Sequence, residues 1–319
     1  MEPASLTIIG PGAMGILFAT RIWQVFPNVS LLHYHKEKAR RMEANGIMVV
    51  EEGKGTTVKA FPKITANAQE IGTQEVVLVL VKAFQTSQVL KDLKVLCGPE
   101  TLVVTLQNGM GAGDILARAV PGENLVLGVT MHGANRRDEK TVVHAGSGDT
   151  ILGMFNPDSA ASNSLEGLVR LLEKSGFTTY LVQDIYPVLW KKLLVNVGIN
   201  PLTALSGLKN GEILEHPELA IIQERAVSEA FSVMKATGMD IGMDFKEVLA
   251  LVRKVCRDTA GNVSSMLQDR INGNQTEIDF INGAVARLAT QAGIKAPVNE
   301  MLCLLVKYFS STGWHLELH

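Results

Sequence analysis

Hydrophobic positions follow two different periods along the chain. In the first half, short aliphatic runs alternate with stretches of helical spacing, and the runs Val76–Val81 and Leu102–Leu106 are almost uniformly apolar. Strands that are covered by helices on both faces have this pattern, which predicts an α/β domain with a doubly wound parallel sheet. The predicted strands are Leu6–Ile9, Val29–Leu32, Ile47–Val50, Thr57–Phe61, Val76–Val81, Leu102–Leu106 and Val126–Met131, followed by a hairpin of Thr141–Ala145 and Thr150–Gly153.

From about Asp184 onward the hydrophobic period changes to 3.6 residues, and no strand-like segment of any length interrupts it. Each predicted helix ends where glycine or proline breaks the period, for example at Pro201. We therefore predict an α/β domain over residues 1–183 and an all-α domain over residues 184–319. The predicted helices of the second domain are Ile185–Ile199, Ala220–Thr237, Phe245–Arg257, Gln275–Gln291 and Val298–Phe309.

A glycine-rich turn follows the first predicted strand and opens the first helix. In this context a GxGxxG sequence predicts dinucleotide binding, because its glycines allow a tight turn, close approach of a pyrophosphate and close packing of helix on strand. Free amides at the helix N-terminus would meet the diphosphate. The alternative is a strand–helix turn of the same composition that binds nothing. The candidate residues are Gly10, Pro11, Gly12, Ala13, Met14 and Gly15.

The residues after the second predicted strand bear on the choice of cofactor. NAD sites place an acidic side chain at this point, whereas NADP sites place a cation. Here no carboxylate precedes Glu37, and His35 and Lys36 come directly before it. The sequence therefore favours NADP, with His35 and Lys36 at the 2′-phosphate and Arg40 or Arg41 as further candidates. A solvated basic helix start is the alternative.

A polar stripe runs along the otherwise apolar helix that begins the second domain. Lys192, Asn196 and Asn200 recur at i, i+4 and i+8, which places them on one face. Burial of such polar side chains against a hydrophobic core would cost free energy, so we expect them to line a polar cleft. An ordinary solvent-exposed face is the alternative, although Trp190 and its aliphatic neighbours leave little polar width for it.

Composition narrows the class of protein. The chain has 319 residues, a formal net charge of −2 and 46% hydrophobic residues, which excludes a disordered protein and provides no overall attraction for nucleic acid or an anionic membrane. No apolar run is long enough to span a bilayer and the start MEPASLTIIG lacks a secretory pattern, so we expect a cytoplasmic protein. The three cysteines and seven histidines lack metal-ligand spacing, and no metal site is predicted.

Several sequence blocks, in the same order along nearly the whole chain, resemble the ketopantoate reductases (2-dehydropantoate 2-reductases), a family of NADPH-dependent enzymes. The resemblance implies a Rossmann-type domain followed by a helical domain like that of 6-phosphogluconate dehydrogenase. It also implies reduction of ketopantoate to pantoate in pantothenate and coenzyme A biosynthesis. The blocks are GPGAMG at 10–15, VKAFQT at 81–86, LQNGMG at 106–111, WKKLLVNVGINPLTAL at 190–205, KNGEIL at 209–214, SSMLQD at 264–269 and TEIDFINGAV at 276–285.

The resemblance further implies roles for single residues. Lys192 matches the family's catalytic lysine and Glu277 its catalytic acid. His35 stands where the family commonly has an arginine for the 2′-phosphate, which is a departure from the pattern. Lys82 and Gln85 match the segment that approaches the cofactor, Asn108 lies where substrate and nicotinamide meet, and the positions that match substrate contacts are Asn196, Asn200, Asn210 and Ser265.

Other interpretations stay open from the sequence. A reductase of another branched 2-keto acid would use the same scaffold, whereas a non-catalytic NADP-sensing protein would have no need of Lys192 and Glu277. Taken without the resemblance, Ser264, Ser265 and Glu277 could serve only to cap helices. His132 could approach the site or pack as a structural residue. The expected partner is a small 2-keto acid, with neither nucleic acid nor membrane, and a homodimer is left open.

Overall fold

The computed structural model describes residues 2–53, 55–159 and 162–312. The chain divides into two compact units. The first unit comprises residues 1–107 and 112–185, and the second comprises residues 108–111 and 186–319. The short segment 108–111 therefore belongs with the second unit, although the chain enters it from a strand of the first.

The first unit is built on two sheets and five helices among its described residues. Its strands are β1 (Leu6–Ile9), β2 (Val29–Leu32), β3 (Ile47–Glu51), β4 (Thr57–Ala60), β5 (Lys63–Thr65), β6 (Gln74–Val79), β7 (Cys97–Thr105), β8 (Leu125–Thr130), β9 (Gly133–Arg136), β10 (Thr141–Gly146), β11 (Thr150–Met154) and β12 (Thr179–Leu181). Its helices are α1 (Ala13–Trp23), α2 (Lys36–Asn45), α3 (Thr86–Leu96), α4 (Ala112–Leu116) and α5 (Asn163–Lys174).

The larger sheet has the strand order β12-β11-β8-β7-β6-β1-β2-β5. Strand β1 pairs in parallel with β2 on one side and with β6 on the other, so the chain reverses its direction of travel across the sheet at β1. The two apolar runs form most of β6 and β7, where residues 76–79 and 102–105 are buried, as strands covered on both faces require. The predicted doubly wound α/β domain is confirmed, and ligands of such sheets bind at the carboxyl ends of the strands where the order reverses.

The predicted hairpin over residues 141–153 is wrong. Strand β10 pairs with β3 and β9 in the smaller sheet, whose order is β4-β3-β10-β9, whereas β11 pairs with β8 and β12 in the larger one. Residues 147–149 therefore carry the chain from one sheet to the other. Glycine-rich turn signals show where a strand ends, but they do not show which strand the next one joins.

The second unit is helical in its described part, which confirms the predicted all-α region. Its helices are α6 (Tyr186–Ser206), α7 (Pro217–Ala236), α8 (Phe245–Asp258), α9 (Ser265–Ile271), α10 (Asn282–Gln291) and α11 (Pro297–Ser311), with 3₁₀ turns at Glu212–Glu215 and Ile278–Phe280.

Two helix predictions in the second unit are wrong in detail. The segment Gln275–Gln291 is not one helix, because a 3₁₀ turn at Ile278–Phe280 precedes α10. Helix α6 does not stop before Pro201 but continues to Ser206, with the proline in its interior. Tertiary packing overrides the local preference at this point, since α6 is buried from Val197 to Ala204.

None of the helices among the described residues combines the length and the apolar character that crossing a membrane requires. Within the same residues, no group of three or more histidine, cysteine, aspartate or glutamate side chains is arranged to hold a metal ion.

Candidate active site

The glycine turn after β1 is a tight connection that tolerates no side chain at two of its positions. Gly10 has a φ of +115°, and a Cβ atom there would lie 2.7 Å from the Val81 amide nitrogen. A Cβ atom on Gly15 would lie 1.8 Å from the Gly10 carbonyl oxygen. A Cβ atom on Gly12 would have no neighbour closer than 4.0 Å, so the backbone at Gly12 is open to a ligand. This is the cradle that a diphosphate needs.

Helix α1 begins inside this turn without a side-chain cap. Gly12 is its N-cap residue, and no side chain accepts a hydrogen bond from the amides of the first turn. Pro11 is buried, whereas Ala13 and Met14 are half-buried. Free amides and the positive end of the helix dipole favour an anion at this position. The residues present therefore fit the diphosphate of a dinucleotide.

Two histidines that lie two positions apart follow β2, and their environments differ. His33 is 2% exposed, and its Nδ1 accepts a hydrogen bond from the His35 amide at 2.8 Å. Burial, helped by the charges of Arg136 and Lys38, lowers the pKa of His33 to about 4. His33 is therefore a neutral structural residue at pH 7, whereas His35 is exposed as the N-cap residue of α2.

The cations of α2 differ in their availability. Arg41 donates from Nε and Nη2 to the Glu139 carboxylate at 3.1 and 2.8 Å, and Arg40 pairs with Glu37 at 3.3 Å. Lys36 is exposed at the first position of the helix, next to His35. The geometry favours His35 and Lys36 over Arg40 and Arg41 as ligands of a further phosphate.

The connections after β6 and β7 are held together by a glutamine that the sequence reasoning missed. Gln107 donates from Nε2 to the Val81 carbonyl oxygen and the Thr86 hydroxyl, both at 2.9 Å. These bonds support the 3₁₀ turn Ala83–Gln85, whose N-cap residue is Lys82. Lys82 and Gln85 are both half-buried. The only signal for Gln107 was its position in the block LQNGMG, beside Asn108.

In the second unit, the polar stripe lies on α6 as predicted from its spacing. Lys192 and Asn196 are half-buried and Asn200 is buried, whereas Lys191 is exposed. Trp190 is 3% exposed and belongs to the hydrophobic core of this unit. The stripe is therefore not an ordinary solvent-exposed face.

The charge of Lys192 interacts with that of Glu277. Burial lowers the pKa of Lys192 to about 8, and the charge of Glu277 opposes this shift. Glu277 is itself only 6% exposed and precedes the 3₁₀ turn Ile278–Phe280. The charge of Glu277 therefore keeps more of Lys192 protonated than burial alone would allow. The structure thus places a largely protonated Lys192 beside the buried Glu277 side chain at neutral pH.

Asn108 reaches this pair through the segment 108–111. Its Nδ2 donates to Glu277 Oε2 at 3.2 Å. The segment is attached to the 3₁₀ turn because the Met110 amide donates to the Phe280 carbonyl at 2.8 Å. Gly109 has a φ of +82°, and a Cβ atom there would lie 2.0 Å from the same carbonyl oxygen. The sequence did not indicate this glycine, whose conformation brings Asn108 to Glu277.

The side-chain amide of Asn210 is hydrogen-bonded through its nitrogen but not through its oxygen within the described residues. Its Nδ2 donates to the Thr259 hydroxyl at 2.9 Å, while its buried Oδ1 has no partner among the described residues. Buried amide oxygens without a partner are rare in folded proteins. A hydroxyl group of a ligand would satisfy this oxygen.

The two neighbouring serines at the start of α9 have different roles. Ser264 Oγ accepts from the Leu267 amide at 3.1 Å and lies 2.6 Å from the Thr203 hydroxyl, so it caps α9 and attaches it to α6. Ser265 is exposed. Ser265 remains a predicted substrate contact, and Thr203 is a supporting residue that the sequence did not reveal.

Comparison with known families decides the assignment. A model of ketopantoate reductase PanE/ApbA matches residues 6–157, and a model of the ketopantoate reductase PanE/ApbA C terminal matches residues 184–309. The chain belongs to the ketopantoate reductase family. It is accordingly a nicotinamide-dependent oxidoreductase, which does not support the alternative of a non-catalytic sensor.

Individual members and neighbours of this family cover nearly the whole chain. The 2-dehydropantoate 2-reductase of Halobacterium salinarum is 32% identical over 97% of this chain and 99% of that protein. A structure of D-mandelate dehydrogenase with NADH and anilino(oxo)acetate is 26% identical, covers 98% of this chain and 100% of the other, and has a TM-score of 0.88. A dimeric ketopantoate reductase from Staphylococcus aureus is 21% identical, covers 97% and 99%, and has a TM-score of 0.80, which shows the shared fold.

Substitution of Gly109 tests the attachment of Asn108. In Gly109→Ala the new Cβ would overlap the Phe280 carbonyl oxygen, so the segment must move and Asn108 should lose Glu277. Together with the strained backbone, we expect a loss of about 2–4 kcal/mol in the free energy of unfolding, measured by urea denaturation. Gly111→Ala is the control, since Gly111 also has a positive φ but its Cβ would have no neighbour closer than 3.6 Å. Equal losses in the two variants would contradict the assigned role of Gly109.

Proposed function

We propose that the protein is an NADPH-dependent 2-dehydropantoate 2-reductase, which reduces the C2 ketone of ketopantoate to pantoate for pantothenate and coenzyme A biosynthesis. The observation that carries the proposal is the half-buried Lys192 beside the buried Glu277 carboxylate, to which Asn108 is bonded. The name of the Halobacterium salinarum relative supports the substrate.

The first unit binds the cofactor in this proposal. A nicotinamide dinucleotide supplies a hydride to the substrate ketone when bound. The open backbone at Gly12 and the uncapped amides of α1 hold its diphosphate, and the exposed His35 and Lys36 hold the 2′-phosphate of NADP. Lys82 and Gln85, in the segment after β6, would contact the cofactor as well.

Lys192 supplies charge and a proton to the developing alkoxide. As the C2 carbonyl gains electron density, the Nζ ammonium stabilises the negative oxygen and then transfers a proton to it, which completes the alcohol. With a pKa of about 8, Lys192 is mostly protonated at pH 7 and yet a better acid than an ordinary lysine. Glu277 maintains that protonated form against the effect of burial.

Neutral polar groups bind the remainder of the substrate. Asn196, Asn200 and Ser265 offer amide and hydroxyl donors to the carboxylate of a 2-keto acid. The unpartnered Oδ1 of Asn210 accepts a hydrogen bond from the substrate hydroxyl. Donors for an anion and an acceptor for a hydroxyl suit a hydroxylated 2-keto acid such as ketopantoate.

The direct test is NADPH oxidation by the purified protein with ketopantoate and a panel of 2-keto acids. We expect kcat/KM for ketopantoate to exceed that for acids without a distal hydroxyl by about 100-fold or more, because those acids leave the Asn210 oxygen unpaired. A second candidate, reduction of an aromatic 2-keto acid, is favoured by the likeness to D-mandelate dehydrogenase. Preference for phenylglyoxylate over ketopantoate would support that candidate and refute the first.

Removal of the lysine tests its role in the chemical step. Lys192→Ala should lower kcat by about 10²-fold or more while NADPH binding is retained, because only the proton donor is lost. In the wild-type protein, kcat for reduction should fall as the pH rises through about 8, where Lys192 loses its proton. Lys191→Ala, at the exposed neighbouring position, is the control and should behave as wild type. Near-normal turnover of Lys192→Ala would refute the assignment.

Exchange of the residues after β2 tests the proposed preference for NADP. The double variant His35→Asp and Lys36→Ala removes a cation and adds the carboxylate typical of NAD sites, so the ratio of kcat/KM for NADPH to that for NADH should fall by about tenfold or more. Arg41→Ala should leave the ratio unchanged, because Arg41 is paired with Glu139. An unchanged ratio in the double variant would show that another residue contacts the 2′-phosphate.

The protein is further proposed to form a homodimer, as the Staphylococcus aureus relative does. Helix α11 exposes four apolar side chains at i, i+3, i+4 and i+7, a stripe typical of an interface. They are Met301, Leu304, Leu305 and Tyr308. Sedimentation velocity should show a species of twice the chain mass that Leu304→Glu converts to monomer, and a monomeric wild type would refute the proposal.

A further inference from the structure

Helix α6 contains a proline in its interior, which removes one backbone hydrogen-bond donor from the helix. Pro201 has no amide hydrogen, so it cannot donate to the Val197 carbonyl one turn earlier. Two side-chain amides donate to the carbonyls of Val197 and Gly198 instead. Asn282 Nδ2 lies 3.5 Å from the Val197 oxygen, and Gln223 Nε2 lies 3.1 Å from the Gly198 oxygen.

Each of these two side-chain amides contains a buried oxygen that reduces the stability of the fold. Asn282 and Gln223 are fully buried, and the side-chain oxygen of each has no partner among the described residues. A buried amide oxygen without a hydrogen bond is destabilising, and an apolar side chain of similar size would avoid that cost. The amide nitrogens, rather than the filling of space, therefore account for these two residues.

The orientation of Asn282 is set from its other side. Its Nδ2 also donates to Asn299 Oδ1 at 3.0 Å, and Asn299 Nδ2 donates to Glu229 Oε2 at 2.9 Å. The Glu229 carboxylate in turn accepts from the amides of Val298 and Asn299 at 2.9 and 3.0 Å. This network connects α7, α10 and α11, and it directs the Asn282 amide group towards α6.

The hydrogen bond to the Val197 oxygen joins the two chain segments that carry the proposed catalytic pair. On α6, Val197 adjoins Asn196 and lies five residues after Lys192. In the other segment, Asn282 lies five residues after Glu277 and begins α10. Helix α6 packs tightly next to Val197, since a Cβ atom on Gly198 would lie 2.8 Å from Val227 Cγ2. The hydrogen bond to the Val197 oxygen therefore connects the helix of Lys192 to the segment of Glu277.

We propose that Asn282 and Gln223 are positioning residues. Asn282 replaces the donor that Pro201 removes from the Val197 oxygen, Gln223 adds a donor to the next carbonyl, and together they fix the N-terminal part of α6, with Lys192 held against Glu277. This inference rests on the proposed catalytic roles of Lys192 and Glu277. Neither amide touches the substrate or the cofactor in this account.

The test uses Asn282→Leu, Pro201→Ala and the double variant in the full-length protein. Pro201→Ala returns a backbone amide that can donate to the Val197 oxygen, so it should rescue the loss of Asn282. The first readout is the titration of Lys192, observed by NMR after reductive ¹³C-methylation and assigned with Lys192→Arg. The second readout is kcat for ketopantoate reduction across pH.

In Asn282→Leu we expect the Lys192 titration midpoint to fall by about half a unit or more, because the Glu277 charge no longer opposes burial as strongly. We expect kcat to fall about tenfold, as small displacements of catalytic groups do. The double variant should recover most of both losses. Gln223→Met, which removes the other donor, should change both readouts in the same direction and carries the test if Asn282→Leu does not fold.

Val233→Ala is the matched control, because it removes buried methyl groups from α7 without altering the hydrogen bonds to Val197 and Gly198. It should lower the melting temperature and leave the Lys192 midpoint unchanged. If Asn282→Leu behaved like this control, or if Pro201→Ala gave no rescue, the positioning role would be refuted. A wild-type protein that reduced no 2-keto acid would refute the proposed function instead, while the NMR titration would still decide the positioning role.

Discussion

The charge of Lys192, half-buried beside the Glu277 carboxylate, is the interaction on which the rest of the second unit depends. Burial favours the neutral amine and Glu277 favours the ammonium, and the balance leaves a pKa of about 8. An acid of that strength is useful only if both groups keep their positions. In the proposed mechanism three features serve this purpose: the apolar packing around α6, the segment 108–111 that brings Asn108 to Glu277, and the buried amides that donate to Val197 and Gly198. On this proposal, much of the local order in the unit serves to hold Lys192 beside Glu277.

The proposed cofactor site of the first unit depends on exposed backbone amides rather than on side chains. Gly10 is restricted by Leu80 and Val81, which follow β6, and Gly15 by the turn itself, and both leave the amides of α1 open to an anion. Because such a site depends on the absence of side chains, its signature is visible in the sequence. The proposed preference for NADP rests instead on a few exposed groups after β2, where His33 is buried and His35 is exposed.

Periodicity and spacing predicted most of the fold and the polar stripe, because both follow from the local geometry of strands and helices. The stripe of Lys192, Asn196 and Asn200 needed only the 3.6-residue period. Features that depend on distant partners were not predictable. The pairing of β10 with β3, the continuation of α6 through Pro201 and the attachment of Gly109 to Phe280 are each decided by residues far along the chain. The roles of Lys192 and Glu277 came from the resemblance to a family, not from spacing.

Lys192 and Glu277 are proposed to act as one unit in catalysis, and a double-mutant cycle measures the coupling between them. The variants are Lys192→Ala, Glu277→Gln and their combination, with kcat measured for each under saturating NADPH and ketopantoate. Because Glu277 acts through the ammonium of Lys192, the double variant should be no slower than Lys192→Ala alone, so that the two losses are far from additive. Losses that multiplied independently would contradict the account, since Glu277 would then act on the reaction without Lys192.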